Sequence, residues 1–139
     1  MAHTQTLLVR FEDVDYARVV FFPRLFEYCH RVFQDFFPAQ LGVSYAELVA
    51  QRGVGFPAVS SKADFRLPLR FGDECRIVME VLKVGKTSVA CRYRLFRGDA
   101  LAAEIETTVA CVDVDAFRSS PIPDDVRRVF EAHQPPRSA

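Results

Sequence analysis

The sequence has no excess of charge of either sign: 18 lysines and arginines balance 18 aspartates and glutamates, and the pI is near 6.8. A balanced chain has no general attraction for nucleic acid or for an anionic membrane. The sequence also lacks a basic and apolar leader at its beginning, and any apolar run long enough to cross a bilayer. We therefore expect a cytoplasmic protein with neither a nucleic-acid partner nor a membrane partner.

Spacings typical of metal sites, disulfide frameworks and common nucleophile or phosphate motifs are also missing. Four cysteines are present without a Cys-x-x-Cys pair or a histidine at a ligand-like distance: Cys29, Cys75, Cys91 and Cys111. Each lies in an apolar or alternating run, where a free cysteine acts as a small hydrophobic residue. Ser60 and Ser61 lack the glycines of a nucleophile elbow, and there is no Gly-rich phosphate loop. We expect no metal and no cofactor.

The 139 residues, half of them apolar and 13 of them phenylalanine, are enough for one domain with a sizeable core. From Pro23 the apolar residues recur at helical spacing, which predicts a helix over residues 23–37 that ends at Pro38. Ser44 followed by Glu47 is a capping-box pattern, so we predict a second, shorter helix over residues 44–52, with Gly53 as its terminator.

The period of the sequence then changes to two, which is typical of strands. A short first strand is predicted over residues 6–11, four more over 59–67, 75–84, 87–96 and 100–114, and a terminal helix over 124–132. This order indicates a single α+β domain over residues 1–139, with a curved antiparallel sheet around one long helix. Such a sheet has an exposed edge that protomers commonly cover by pairing, so we expect a homo-oligomer.

Candidates for catalysis are few, and the two acids just before the long helix stand out. The more common explanation for Asp13 and Asp15 is that one caps a turn and the other is solvated. A metal site is possible, although no third ligand is nearby. Alternatively, a carboxylate before a helix start lies near free backbone N–H groups that can hold an oxyanion, so it could attack a carbonyl or activate water. The residues alone leave these alternatives open.

The three histidines offer less. We expect His3 in a disordered start and His133 in a frayed end. His30 lies at the border between the apolar and polar sides of the predicted helix, where a hydrogen-bonded structural role is favoured and a pocket-lining role stays open.

Two stretches carry a resemblance to a known family. Residues 10–15 (Arg-Phe-Glu-Asp-Val-Asp), followed by residues 19–23 (Val-Val-Phe-Phe-Pro) and an aromatic-rich helix, resemble the 4-hydroxybenzoyl-CoA thioesterases and their bacterial acyl-CoA thioesterase relatives. Residues 52–65 resemble the family's entry into its second strand. The resemblance covers nearly the whole chain. It implies a hotdog fold, in which an antiparallel sheet wraps around the long helix, with paired protomers, active sites at their interface, and dimers that usually form tetramers.

The resemblance also implies which residues act. Asp15 matches the family's catalytic carboxylate, and the backbone N–H of Phe22 matches the group that polarises the thioester carbonyl. Lys86 and Thr87 fall at the turn where the family contacts the CoA moiety. Asp15 would either attack to form a mixed anhydride or serve as general base for water.

Several positions depart from the family's pattern. Phe22 stands where many relatives carry a second catalytic His, and Arg18 stands where many carry a Gly. A positive φ would strain Arg18, which could alternatively bind phosphate. Phe56, with Pro57 beside it in the expected acyl pocket, replaces a small hydroxyl residue of the aryl-CoA enzymes, which puts 4-hydroxybenzoyl-CoA itself in doubt.

The resemblance therefore implies hydrolysis of an aryl- or short/medium acyl-CoA to free acid and CoA, with coenzyme A as part of the substrate. A non-catalytic acyl-CoA-binding module of the same fold is the alternative from another class. A hydratase of this fold is a weaker alternative, because those enzymes usually need a His in an acid–base pair and none is suitably placed.

Overall fold

The computed structural model describes residues 2–136, which form one long helix, two shorter helices and two antiparallel sheets. The helices are α1 (Phe22–Gln40), α2 (Tyr45–Arg52) and α3 (Asp124–Ala132). The strands are β1 (His3–Leu8), β2 (Val54–Gly55), β3 (Ala58–Phe65), β4 (Glu74–Val84), β5 (Ser88–Arg97), β6 (Ala100–Ala110), β7 (Val112–Asp113) and β8 (Arg118–Ser119). The larger sheet has the order β1-β4-β5-β6-β3, and β2, β7 and β8 form the smaller one.

The apolar stripe of α1 packs against one face of the larger sheet, called the inner face below. Seven residues of the helix are buried: Leu25, Tyr28, Cys29, Val32, Phe33, Phe36 and Phe37. On β5 the buried Cys91, Tyr93 and Leu95 alternate with more exposed residues, as a strand with one covered face requires. The prediction of an antiparallel sheet around a long helix is confirmed.

Pro38 does not end α1, as the sequence had suggested, but lies inside its last turn. A proline there removes one hydrogen bond, to the carbonyl of Gln34, and both residues are exposed, so water can satisfy that carbonyl. The helix ends where the N–H groups of Leu41 and Gly42 both donate to the carbonyl of Phe37, at 2.8 and 3.1 Å.

The second helix follows its predicted caps. The hydroxyl of Ser44 accepts the Glu47 N–H at 3.1 Å, which satisfies one of the free donors of the first turn. Gly53 ends the helix with φ at 67°, in the left-handed region that glycine adopts without steric cost.

Two strand predictions need correction. The first strand lies at His3–Leu8 rather than residues 6–11, because Phe11–Asp13 forms a 3₁₀ turn instead. The predicted strand 100–114 is divided: β6 ends at Ala110, and Val112–Asp113 leaves the larger sheet to pair with β2 and β8. The strands predicted over 59–67, 75–84 and 87–96 (β3, β4 and β5) and α3 lie within two residues of their predicted bounds, whereas β2 and β8 were not predicted.

Both terminal histidines are buried, so the expectation of a disordered start and a frayed end was wrong for them. His3 is 8 % exposed in β1, and His133, at the end of α3, is 2 % exposed. Their rings pack edge-on against Phe36, with centroids at 5.6 and 4.8 Å. An aromatic core thus holds both ends of the described chain.

The covering of the inner face is uneven. β3 is an edge strand, and every residue in it except Ala63 is exposed. Ser61 and Phe65 pair with Thr107 and Ala103 of β6, which in turn pair with the buried Cys91 and Leu95. Because cross-strand partners share a face, Ser61 and Phe65 belong to the inner face although water reaches them.

No helix within residues 2–136 is long and apolar enough to cross a membrane.

Candidate active site

Asp15 lies at the start of a tight loop just before α1. Val14 and Val20 form an isolated antiparallel bridge that closes the loop. Inside it, the Asp15 N–H donates to the carbonyl of Val19, and the Arg18 N–H donates to the carbonyl of Asp15, both at 2.9 Å. Residues 15–19 therefore have a defined backbone although all but Val19 are exposed.

Only one of the two oxygens of the Asp15 carboxylate accepts a hydrogen bond within residues 2–136. Its Oδ1 accepts the Ala17 N–H at 2.8 Å, an Asx-type turn that orients the side chain. The carboxylate makes no salt bridge and no other side-chain hydrogen bond with residues 2–136. One carboxylate oxygen thus faces solvent with lone pairs free for chemistry.

Asp13 has a different environment, since it is 8 % exposed. Its Oδ2 accepts the backbone N–H of Arg10 at 3.0 Å and the hydroxyl of Tyr28. Its backbone carbonyl accepts the Phe21 N–H at 2.9 Å, which ties the start of the loop to the residue before α1. Asp13 therefore acts as a structural link, while Asp15 is the exposed acid of the pair.

Phe22 is the first residue of α1, so the helix offers its backbone N–H no acceptor. The neighbouring donors are used or absent: Phe21 donates to Asp13, Pro23 has no N–H, and Arg24 donates to the carbonyl of Phe21 at 2.8 Å. The Phe22 N–H lies at the positive end of the helix dipole, where a carbonyl oxygen that gains negative charge is stabilised.

Arg18 has φ at 69°, the left-handed conformation that the family's glycine would adopt more easily. The strain that the sequence comparison suggested for this position is therefore present. Its side chain is exposed and forms no salt bridge with residues 2–136.

Within residues 2–136, α1 borders a small cavity and a large one. A small cavity of about 310 Å³ lies beside Phe22, between the N-terminus of α1 and residues 65–69. A large cavity of about 900 Å³ lies between α1 and the uncovered inner face of β3 and β6, and its lining includes Phe26, His30, Phe56 and Pro57. His30 is thus a pocket-lining residue. Asp15 lies outside the linings of both cavities.

Phe56 is held firmly at the wall of the large cavity. It is 2 % exposed, and its N–H donates to the hydroxyl of Tyr45 at 2.8 Å. Its ring packs against Phe33, Phe37 and Phe130, so its position is part of the core as well as of the cavity.

Lys86 and Thr87 occupy the turn between β4 and β5, whose backbone is locked in place. The Thr87 carbonyl accepts the Cys111 N–H at 2.7 Å, and the Lys86 carbonyl accepts the Ile122 N–H at 3.0 Å. This turn follows one end of β4, whereas Glu74, at the other end, pairs with Leu8 near the Asp15 loop. Eleven strand residues extend about 33 Å, so one chain does not bring Lys86 and Asp15 together.

Sequence reasoning missed a four-residue turn that occurs twice, Arg-Phe-x-Asp at residues 10–13 and 70–73. In each turn the Asp carboxylate accepts the N–H of the Arg three residues earlier, at 3.0 and 2.8 Å. The turns are linked through the carbonyls of Asp73 and Val9, which accept the N–H groups of Val9 and Gly72 at 2.8 and 3.0 Å. The repeated tetrapeptide is a visible signal for this support of the Asp15 loop.

Tyr28 was read only as part of the helix, although a buried tyrosine hydroxyl needs a partner. That requirement could have pointed to the nearby buried acid.

The four cysteines are free and buried, and burial raises the pKa of Cys75 and Cys91 to about 12, so neither thiol is a nucleophile at neutral pH. Residues 2–136 contain no group of three potential metal ligands.

Comparison with known proteins identifies the family. Residues 9–130 match the model of the thioesterase-like superfamily. The 1,4-dihydroxy-2-naphthoyl-CoA hydrolase of Nostoc punctiforme is 25 % identical over 96 % of this chain and 90 % of its own length. That of Thermosynechococcus vestitus is 30 % identical over 84 % of this chain and 80 % of its own.

A solved 1,4-dihydroxy-2-naphthoyl-CoA thioesterase from Synechocystis shares the fold with a TM-score of 0.85, at 20 % identity, over 94 % of this chain and 96 % of its own. The architecture of α1 and the larger sheet and the match over residues 9–130 lead to one conclusion. The chain belongs to the thioesterase-like superfamily and has its hotdog fold.

Proposed function

We propose that the protein is an acyl-CoA thioesterase that hydrolyses a thioester to free acid and CoA, with Asp15 as its catalytic carboxylate. The observation that carries this proposal is one exposed carboxylate and one free helix N–H, those of Asp15 and Phe22, at the two ends of one short loop. Superfamily membership and relatives named as acyl-CoA hydrolases support the reaction class.

The two groups have complementary tasks in thioester hydrolysis. The Phe22 N–H and the helix dipole polarise the carbonyl and stabilise the oxyanion that forms on attack. Asp15 attacks the carbonyl carbon and releases the CoA thiolate, after which water hydrolyses the mixed anhydride; alternatively, Asp15 takes a proton from the attacking water. The hydrogen bond from Ala17 holds Oδ1 and leaves Oδ2 for either route.

A second copy of the chain completes the site in this proposal. The uncovered edge of β3 is suited to antiparallel pairing with its own copy, which extends the sheet. If the twofold axis passes beside Lys62, so that Lys62 faces its own copy, the partner's Val59 lies opposite Phe65 and the partner's Ala58 lies next to it. The ring of Phe65 is 6.0 Å from that of Phe22. The large cavity of the partner then opens next to the Phe22 N–H.

The same pairing supports the CoA-binding prediction for Lys86 and Thr87. The register places Val109 opposite both Ala58 and Val89, so the turn before β5 lies at the end of the sheet where β3 begins. In a twofold pair, that end of the partner lies beside the Asp15 loop. Residues that one chain keeps about 33 Å apart are then close enough to contact opposite ends of one acyl-CoA.

The large cavity favours an aryl acyl group. Its volume is about 900 Å³, and aromatic side chains form much of its wall, among them Phe26, Phe33, Tyr45 and Phe56. A flat ring packs well among such side chains, whereas a short aliphatic chain would leave most of the space to water. We therefore propose an aryl-CoA substrate, and the size of the cavity allows an acyl group with a ring system larger than a single benzoyl group.

Purified protein incubated with aryl-, short- and long-chain acyl-CoAs, with thiol release followed spectrophotometrically, tests the reaction class. We expect hydrolysis, with aryl-CoAs preferred. Acyl-CoA binding without thiol release from any of them would instead identify a non-catalytic binding module.

A subunit-mixing experiment tests the shared site. Thr107 lines the large cavity from β6, one strand inward from the β3 edge, where its hydroxyl lies 3.0 Å from that of Ser61. Thr107→Phe fills the cavity without touching Asp15, which lies outside its lining. Asp15→Asn and Thr107→Phe should each be inactive alone. After unfolding and refolding together, half of the dimers are mixed and each has one intact site, so about one quarter of wild-type activity should return. No recovery would contradict a site built from two chains.

A further inference from the structure

We propose that Tyr28 is a positioning residue of the active site: through Asp13 it holds the Asp15 carboxylate at a fixed place relative to the Phe22 N–H. The inference rests on the proposed function, because it takes Asp15 and Phe22 as the reacting pair. Tyr28 itself lies in the buried stripe of α1 and lines neither cavity.

The loop that carries Asp15 has little of its own to hold it in place. Asp15, Tyr16, Ala17 and Arg18 are all exposed, and Tyr16 makes no side-chain hydrogen bond within the described chain. The buried anchors lie at the base of the loop, where Val20 donates its N–H to the carbonyl of Leu69 at 2.8 Å and Asp13 is 8 % exposed. The position of Asp15 therefore depends on how firmly this base is attached to α1.

Asp13 makes that attachment with two different groups. Its backbone carbonyl accepts the N–H of Phe21, the residue next to Phe22. Its carboxylate accepts the hydroxyl of Tyr28, which stands six residues, or about 9 Å, further along the same helix. Two attachments to one rigid helix fix orientation as well as position, and Asp15 follows Asp13 by only two residues.

The Tyr28 hydroxyl is suited to be a permanent donor. Burial, followed by its bond to the Asp13 carboxylate, raises its pKa well above the ordinary value, so the proton stays on the hydroxyl. The side chain is 2 % exposed, and Asp13 is its only hydrogen-bond partner within residues 2–136. Removal of the hydroxyl leaves Oδ2 of this buried carboxylate with one donor, the Arg10 N–H, while Oδ1 keeps only a 3.9 Å ion pair with Arg24, so Asp13 is held less firmly.

Tyr28→Phe is the test, because it removes one oxygen and keeps the ring in the core. Small displacements of a reacting group cost large factors in rate. We expect kcat to fall at least about tenfold while KM stays within about threefold, since the acyl and CoA contacts are untouched. Ser44→Ala, which loses a helix cap far from the loop, is the stability-matched control and should lower Tm to a similar extent with kcat unchanged.

A double-mutant comparison separates this inference from the proposed function. If Tyr28 acts through Asp15, Tyr28→Phe should have no further effect on residual turnover in the Asp15→Asn background. A fall in kcat no larger than that of Ser44→Ala, or an equal fall in both backgrounds, would overturn the positioning role while Asp15 stays catalytic. Full turnover of Asp15→Asn alone would instead overturn the proposed function.

Discussion

Phe36 and Phe65 both belong to the side of the sheet that faces α1, yet one is sealed in and the other meets water. Phe36, on α1 near β1, is 0 % exposed and packs against Phe130 and His133. Phe65, on β3, is 50 % exposed although the rings of Phe22 and Phe26 lie 6.0 and 6.4 Å away. One side of the domain is a finished core. The other is an open surface, which in our proposal a partner and a substrate complete.

The covered side should carry most of the stability. Phe36→Ala removes a ring surrounded by aromatic neighbours, and we expect unfolding to become easier by about 3–5 kcal/mol. Urea unfolding followed by circular dichroism measures this loss, with Phe36→Leu as the volume-closer control. A loss below about 1 kcal/mol would show that the core is not concentrated here.

The uncovered side should behave in the opposite way. Phe65→Ser takes a half-exposed ring away from the β3 edge, so the stability of the isolated chain should change by less than about 1 kcal/mol. The proposed oligomer should dissociate, and turnover should fall with it. Light scattering at micromolar concentration and thiol release measure the two effects. An unchanged oligomer with unchanged turnover would remove β3 from the interface.

Low pH should lower the stability of the covered side, because His3 becomes protonated more readily in the unfolded state. Burial, followed by repulsion from His133, lowers the pKa of His3, while the nearby Gln5 and Asp35 act against this shift. The folded state therefore binds fewer protons than the unfolded state below the ordinary pKa of about 6.5. Stability from this site is complete above about pH 6.5 and is lost as the pH falls.

As the pH falls below about 6.5, the wild type should thus lose stability more steeply than His3→Gln, which does not titrate there. Urea midpoints measured as a function of pH provide the comparison. Parallel pH curves for the two proteins would mean that His3 is not protonated differently in the two states.

The smallest effect is expected at Arg18. A left-handed φ destabilises the folded state by about 1 kcal/mol or more at a non-glycine residue, so a glycine at this position removes that strain. Glycine also gives the unfolded chain more conformational freedom, which cancels part of the gain in stability. Arg18→Gly should therefore raise Tm slightly, while Arg18→Lys should not. The same two variants test the predicted phosphate contact. If Arg18 binds phosphate, KM should rise in Arg18→Gly and stay nearly constant in Arg18→Lys.

The sequence allowed the periodic elements to be predicted because their side chains report burial directly. The stripe of α1 and the alternation in β5 do so, and the start of α2 was predictable because the Ser44 hydroxyl accepts a free N–H of its first turn. Pro38 misled because the effect of proline on a helix depends on whether water reaches the freed carbonyl, which sequence does not state. Apolar and polar side chains alternate in residues 112–113 as in the strand before them, so the sequence does not indicate that these residues belong to the smaller sheet.

The candidate site was only partly predictable for a related reason. Asp15 and Phe22 are neighbours along the chain, and the structure places them at the two ends of one loop. Phe56 and Lys86 lie elsewhere in the same chain, so their part in the site stays a prediction that depends on a second protomer. Tyr28 was not singled out within the predicted helix, because its hydroxyl matters only once Asp13 is known to be buried.

The most direct test of Asp15 as the catalytic carboxylate compares Asp15→Asn with Asp13→Asn. Asp15→Asn removes the charge and keeps the shape, so Tm should stay nearly constant, acyl-CoA binding should survive, and turnover should fall at least two orders of magnitude. Asp13→Asn keeps an oxygen that can accept from Arg10 and Tyr28, so it should cost about 1 kcal/mol of stability and far less turnover.

Both variants are measured for Tm, for acyl-CoA binding and for thiol release from the acyl-CoA that the wild type hydrolyses best. If Asp13→Asn loses turnover while Asp15→Asn keeps it, the roles of the two acids are reversed. If both keep it, the carboxylate mechanism is wrong.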